Sequence, residues 1–248
     1  MDSSAFFEQE FVVSMSLADC FGRLKPSSLM TLIENVAVGH VSDLGYGHDF
    51  TTEVLNAAWI VVRTRVTLKR PILYGETVRL RTWAATPKNA YFPRETELYV
   101  DGEVVGEVSA VWVLADVDTR KILPPMKFYE VTGFKHRGEP RFEAPERIIP
   151  AKECRGEESF RVRYSDLDMN HHVHNTRYLD FAADHLGLEN RPDLWVREVN
   201  ISFAAEVKAG ETLLISDAGD DEKRYIRGAG ADGKKRFDLE LTFAGIGE

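Results

Sequence analysis

An α+β fold, made twice over from a curled antiparallel sheet around one long helix, follows from three features of this chain. The same order of a strand, a helix and four β-rich runs occurs in both halves. Gly75-Glu76-Thr77 recurs as Gly210-Glu211-Thr212, and Leu44-Gly45 recurs as Leu186-Gly187, at nearly equal offsets. An Asp-Gly pair, Asp101-Gly102 in one half and Asp232-Gly233 in the other, marks the last hairpin of each. Two such units in tandem form a pseudo-dimer within one chain.

In the first half, Phe11, Val13, Met15 and Leu17 alternate as in a strand. Leu29, Leu32, Ile33, Val36, Ala37, Val41 and Leu44 then recur at helical steps, with Ser27 or Ser28 to cap the start and Gly45 to end it. Strand-like runs follow at Trp59–Leu68, Val78–Trp83, Glu95–Val100 and Val104–Val117. In the second half, Phe160, Val162 and Tyr164 alternate. A helix from about Asn175 carries Tyr178, Leu179, Ala182 and Leu186. The runs Leu194–Phe203, Thr212–Ser216, Lys223–Arg227 and Arg236–Phe243 complete the repeat. The stretch from Asp118 to Glu158 holds five of the ten prolines and dense charge, which reads as a connector on the surface. The expected division is residues 1–130, a connector over 131–158, and residues 159–248.

The length of 248 residues is ample for a hydrophobic core, and 44% apolar with 29% charged residues is ordinary for a globular chain. A net charge of −9 argues against nucleic acid as a partner, because phosphate neutralisation needs surplus Lys and Arg. Two cysteines, Cys20 and Cys154, make no disulfide framework and fit a reducing cytoplasm. The first eleven residues carry Asp2, Glu8 and Glu10 but no Lys or Arg, so no secretory signal is expected. The longest apolar runs fall far short of the ~20 residues that span a bilayer, so no membrane insertion is expected.

The chemistry concentrates between Tyr164 and Asn175. That segment holds Asp166, Asp168, Asn170, Asn175, His171, His172 and His174 between a strand end and a helix start. Polar groups there can serve the helix N-terminus, whose free N–H groups stabilise an oxyanion. They can equally be loop chemistry, with Asx turns and Asn175 as the helix cap. His171, His172 and His174 do not share a helical face and no second cluster completes a metal site, so neither metal nor cofactor is expected.

The segment resembles the Trp-Ser-Asp-Leu-Asp-x-Asn-x-His-x-x-Asn signature of the acyl-acyl-carrier-protein thioesterases of plants and bacteria. Tyr164 replaces the Trp, while Ser165, Asp166, Leu167, Asp168, Asn170, His172 and Asn175 agree. A second block is also similar to that family, from Trp59 through Arg63, Arg70-Pro71, Gly75, Val78 and Thr82-Trp83 to Val111-Trp112-Val113 and Thr119-Arg120. The resemblance implies a double hotdog fold and hydrolysis of the thioester between a fatty acyl chain and its carrier protein. It also implies catalytic roles for Asp168, Asn170, His172 and Glu206, the last placed by its spacing from Phe203. The family's Cys beside that Glu is Val207 here, so no thiol nucleophile stands at that position.

Hydrolysis needs an activated water or a carboxylate nucleophile and a polarised carbonyl. Glu206 or Asp168 could take either carboxylate role. The favoured reading is Glu206 activating water and Asp168 positioning Asn170 and His172. In the first half, Cys20 to Lys25 contains no Asn, His or carboxylate, and Pro71 stands opposite Glu206, so one half holds the catalytic set. The other half is expected to house the acyl chain, with Leu29 to Leu44 lining a tunnel testable at Met30 or Leu32. Docking of an acidic carrier needs local cations, and two sets qualify: Arg63, Arg65 and Lys69, or Arg161 and Arg163. An acyl-coenzyme A thioesterase, an enoyl-thioester hydratase and a non-catalytic acyl-thioester binder are the competing readings. A homodimer of such chains is compatible with all of them.

Overall fold

The computed structural model describes residues 6–134 and 136–247; Asp2 of the amino-terminal stretch lies outside them. The chain forms two compact units. One comprises Met1–Val12, Leu32–Val66 and Glu76–Pro145, the other Val13–Thr31, Thr67–Gly75 and Glu146–Glu248.

The strands and helices of the first unit are β1 (Phe7–Val12), α1 (Pro26–Asp43, from Leu32 onward), α2 (His48–Glu53), β2 (Ala57–Leu68, to Val66), β3 (Thr77–Ala84), β4 (Phe92–Val100), β5 (Glu103–Asp116), β6 (Ile122–Leu123) and α3 (Pro125–Thr132). Its sheet runs β1-β3-β4-β5-β2, with β6 on β5. The second unit holds β7 (Arg155–Arg161), α4 (Arg177–His185), β8 (Leu194–Phe203), β9 (Thr212–Gly219), β10 (Lys223–Gly230) and β11 (Lys235–Gly245). Its sheet runs β7-β9-β10-β11-β8. The two orders match position for position, so the repeat read from the sequence is a repeat of topology. This is the tandem hotdog that the sequence predicts.

Alternation along the strands builds each core. Val78 and Leu80 of β3, Leu98 of β4 and Leu114 of β5 are fully buried in the first unit. Leu213, Ile215, Ile226, Phe237 and Leu239 are their counterparts in the second. The β4–β5 hairpin turns at Asp101 (φ 52°) and Gly102 (φ 84°), the left-handed pair that an Asp-Gly dipeptide supplies.

Several expectations are corrected. The first strand ends at Val12, and Ser14 to Ala18 form a turn in which Leu17 and Ala18 donate to the Ser14 carbonyl. The apolar alternation ran past the strand because Met15 is an exposed turn residue, 80% accessible. Pro26 opens α1, which places Ser27 and Ser28 inside the first turn rather than at the cap. Thr176, not Asn175, stands at the N-cap position of α4; its side chain makes no capping bond there, and its N–H reaches the His174 imidazole. The connector is not confined to the surface. Pro124-Pro125 starts α3 instead of breaking the chain, and α3 buries Phe128. Further on, the Arg141 and Phe142 N–H groups donate to the buried Glu95 carboxylate at 2.6 Å each, and the Trp83 indole donates to the same group at 2.9 Å. Proline and charge density signal exposure only on average; apolar anchors such as Phe128 decide each segment.

Candidate active site

Beyond β7 the chain makes a short 3₁₀ turn, Tyr164–Asp166. Asp166 is buried and accepts from the Arg163 N–H at 2.8 Å and from Arg177 Nε and Nη2 at 3.2 and 2.9 Å. It ties the loop to the first turn of α4, a structural task. Asp168 then organises the next turn. Its Oδ1 accepts from the backbone N–H of Asn170 at 2.9 Å and of His172 at 3.2 Å, and its Oδ2 accepts from Asn170 Nδ2 at 3.3 Å. The Asp168 N–H closes the turn on the His172 carbonyl at 2.8 Å, and His171 between them takes φ 62°.

This loop is laced to the segment before β9. Val173 N–H donates to Val207 O at 2.8 Å, Val162 N–H to Glu211 O at 2.9 Å, and Gly210 N–H to Val162 O at 3.0 Å. That register sets Glu206 against the imidazole, with His172 Nε2 3.2 Å from Glu206 Oε2. His172 is largely enclosed (18% side-chain exposure) while Glu206 stays open to water (47%). All four residues named from the sequence therefore converge: Asp168 contacts Asn170 and His172, and His172 contacts Glu206. His174 Nδ1 lies 3.0 Å from the Thr176 hydroxyl. Val207 beside Glu206 is fully buried, and both cysteines are free. Among the described residues no three His, Cys, Asp or Glu side chains form a metal-binding group.

The same turn exists a second time. Asp19 Oδ1 accepts from the N–H groups of Phe21 and Arg23 at 2.9 Å each, and its own N–H donates to Arg23 O at 2.7 Å. Leu24 N–H donates to Ile72 O as Val173 does to Val207, and Gly75 N–H to Val13 O as Gly210 does to Val162. Arg23 bridges Leu73 as His172 bridges Lys208. Asp19, Phe21, Gly22 and Arg23 thus occupy the places of Asp168, Asn170, His171 and His172, and Pro71 that of Glu206. The absence of a carboxylate from Cys20 to Lys25 holds, but the turn begins one residue earlier and keeps its Asp. In this copy Arg23 Nε pairs with Asp19 at 3.0 Å.

Tyr178, read from the sequence only as an apolar position, enters the electrostatics of the site. Burial pushes its phenol well above the usual range; the Arg236 charge opposes this, and the Asp168 and Glu206 carboxylates add to it. It stays a neutral hydroxyl near two carboxylates. Its place one residue into the helix after the polar loop was the available signal.

The first unit contains an apolar pocket with about 560 Å3 of atom-free space counted to its open side. Ala37, Val38 and Val41 of α1 form one wall, and Trp59, Phe92 and Phe128 pack edge to face as another. The expected helix does line it, but through residues beyond Met30 and Leu32, which do not. Arg94 also lines it, buried, with Nη1 3.1 Å from His40 Nδ1 and 3.3 Å from Thr82 Oγ1. Burial lowers its pKa to about 10, which leaves the guanidinium charged at neutral pH.

Family models described as the acyl-ACP thioesterase N-terminal and C-terminal domains match residues 4–127 and 150–236. An acyl-[acyl-carrier-protein] hydrolase, FATB2, of Cuphea viscosissima is 29% identical over 172 residues, 63% of this chain and 41% of the relative. Oleoyl-acyl carrier protein thioesterase 1 of Arabidopsis thaliana is 25% identical across 98% of this chain and 73% of its own length. The chain thus spans about two fifths of the first relative's length. The crystal structure of an acyl-ACP thioesterase from Bacteroides thetaiotaomicron superposes with a TM-score of 0.86 at 21% identity, covering 96% of this chain and 98% of that one. Both family domains, matched in order on a duplicated sheet-and-helix fold, show that the chain belongs to the acyl-ACP thioesterase family.

Proposed function

We propose that this protein hydrolyses the thioester between a fatty acyl chain and acyl carrier protein, releasing the free acid and ending elongation. The observation that carries the reading is the His172–Glu206 contact, which stands in one copy of a turn whose other copy has Arg23 and Pro71 in those places. Glu206, half-exposed with Oε2 3.2 Å from His172 Nε2, acts as the base that takes a proton from water as the oxygen attacks the thioester carbonyl. Asn170 offers its amide to the developing oxyanion. His172 returns the proton to the departing thiolate, which as a good leaving group needs little help. Asp168 is a positioning residue, because Asp19 makes the same backbone hydrogen bonds where there is no such chemistry.

The division of labour follows the two halves. The apolar pocket, with Phe128 and the connector's Phe134 in its lining, takes the acyl chain, and residues 159–248 supply the catalytic set. Among the described residues no helix is long and apolar enough to cross a membrane. The free Cys20 and Cys154 suit a reducing compartment, which we assign as the cytoplasm.

Thiol release from acyl chains on carrier protein and on coenzyme A tests the reading, with wild type beside Glu206→Gln and His172→Ala. Preferential cleavage of carrier-linked chains, falling at least ~100-fold in both variants, is expected for a lost general base and its partner. Activity kept by Glu206→Gln moves the base role to Asp168. A folded wild type that cleaves no thioester overturns the function.

A further inference from the structure

Three cations around the candidate site have no partner among the described residues. Arg161, Arg163 and Lys208 are exposed, and among the described residues their side chains make no ion pair or hydrogen bond. Neighbouring cations are engaged: Arg177 by Asp166 and Asp180, Arg236 by Asp232 and Glu211. The backbone bonds Val162 to Glu211, Gly210 to Val162 and Val173 to Val207 tie the end of β7, with Arg161 and Arg163, and Lys208 to the loops that carry His172 and Glu206. Two large apolar side chains stand on the same loops, Tyr164 at 92% and Met169 at 76% exposure.

The duplicated turn serves as an internal control. By the matching hydrogen bonds, Arg161 corresponds to Val12, Arg163 to Ser14 and Lys208 to Leu73, while Tyr164 corresponds to Met15. The fold therefore tolerates uncharged residues at all three places, and these three cations stand only in the copy that holds His172 and Glu206, while the other copy carries cations at different places, Arg23 and Lys25. In the rival set Lys69 is exposed, but its two arginines are engaged. Arg65 is paired with Glu143, and the Arg63 guanidinium lies 5.8 Å from the centre of the Tyr91 ring.

We propose that Arg161, Arg163 and Lys208, with Tyr164 and Met169, form the surface that docks an acidic carrier protein so that its thioester reaches Glu206. The inference rests on the thioesterase reading above. Unpaired exposed cations steer an acidic partner over about a Debye length, and exposed apolar side chains hold it once seated. On a chain of net charge −9, such a patch is what permits approach of a partner of the same sign.

The test compares kcat/KM for one acyl chain on carrier protein and on pantetheine alone, across a range of salt. In the Arg161→Glu, Arg163→Glu, Lys208→Glu triple variant, the carrier-to-pantetheine ratio is expected to fall at least tenfold and its salt dependence to flatten. Tyr164→Ala with Met169→Ala is expected to raise KM for the carrier-linked substrate. Arg63→Glu with Lys69→Glu is expected to leave the ratio where it is. A folded triple variant with an unchanged ratio, or a ratio that moves only in the Arg63 and Lys69 variant, overturns the surface while leaving the hydrolase reading intact. If wild type cleaves neither substrate, the hydrolase reading fails. Fluorescence anisotropy of labelled carrier protein then decides the surface: binding lost in the triple variant supports it, and equal binding overturns it.

Discussion

Asp168 and Asp19 accept the same pair of backbone N–H groups, from the residues two and four positions on, yet only Asp168 stands beside an imidazole and a second carboxylate. The shared hydrogen bonds are what the turn needs to form; the groups that differ carry the chemistry. Asp19→Ala and Asp168→Ala are both expected to cost about 1–3 kcal/mol, since each strands N–H donors. Only Asp168→Ala should also lose hydrolysis, by releasing Asn170 and His172 from their places. Urea midpoints beside initial rates check this, and an Asp19→Ala enzyme as crippled as Asp168→Ala would defeat the assignment. The turn's third position shows a further difference: Gly22 meets φ 77° without strain, whereas His171 holds φ 62° despite its Cβ.

At the scale of elements, α1 and α3 shape the pocket together. α1 presents Ala37, Val38 and Val41, small or medium side chains that leave room, and α3 brings the fully enclosed Phe128 against Trp59 and Phe92. Val41→Phe is expected to narrow this space and shift the preferred acyl chain to shorter lengths, with kcat/KM for the longest good substrate down at least ~10-fold. Overpacking adds a stability cost of about 1–3 kcal/mol. A chain-length profile identical to wild type removes α1 as a wall of the acyl site. Helical periodicity revealed α1 but not its pocket-facing stretch, because apolar spacing marks a buried stripe without separating packed core from lined cavity. α3 escaped notice because its eight residues are too few for a periodic signal and it opens on two prolines.

For the whole molecule, two buried phenols, Tyr178 and Tyr225, and the half-buried Tyr129 set the behaviour in alkali. Burial raises Tyr129 from 10 to about 12, and it raises Tyr178 and Tyr225 further, with Asp238 adding to Tyr225 through a 2.6 Å hydrogen bond. A phenol whose pKa is higher folded than unfolded stabilises fully below the unfolded value. That contribution is lost as pH rises through the folded one. Stability is therefore expected to decline from about pH 10 toward pH 12, as the unfolded chain ionises and the folded one does not. Tyr129→Phe should remove part of that decline in thermal melts; a slope unchanged by the substitution would assign the decline to other groups.

The sequence by itself determined the duplicated order of elements, the Asp-Gly hairpin and the polar loop from Asp168 to His172. Each is written in residues close together in the chain, where periodicity and turn chemistry act. Glu206 was reached only through resemblance, since an exposed Glu in a short loop has no local signature. Tertiary structure decided what touches what. Strand register brought Glu206 to His172, antiparallel pairing showed that Asp19 and Pro71 are the counterparts of Asp168 and Glu206, and packing drew α3 into the core. Contacts between residues distant in sequence depend on the register of β-ladders and on the fit of side chains across elements. Neither is set by the neighbours of a residue along the chain.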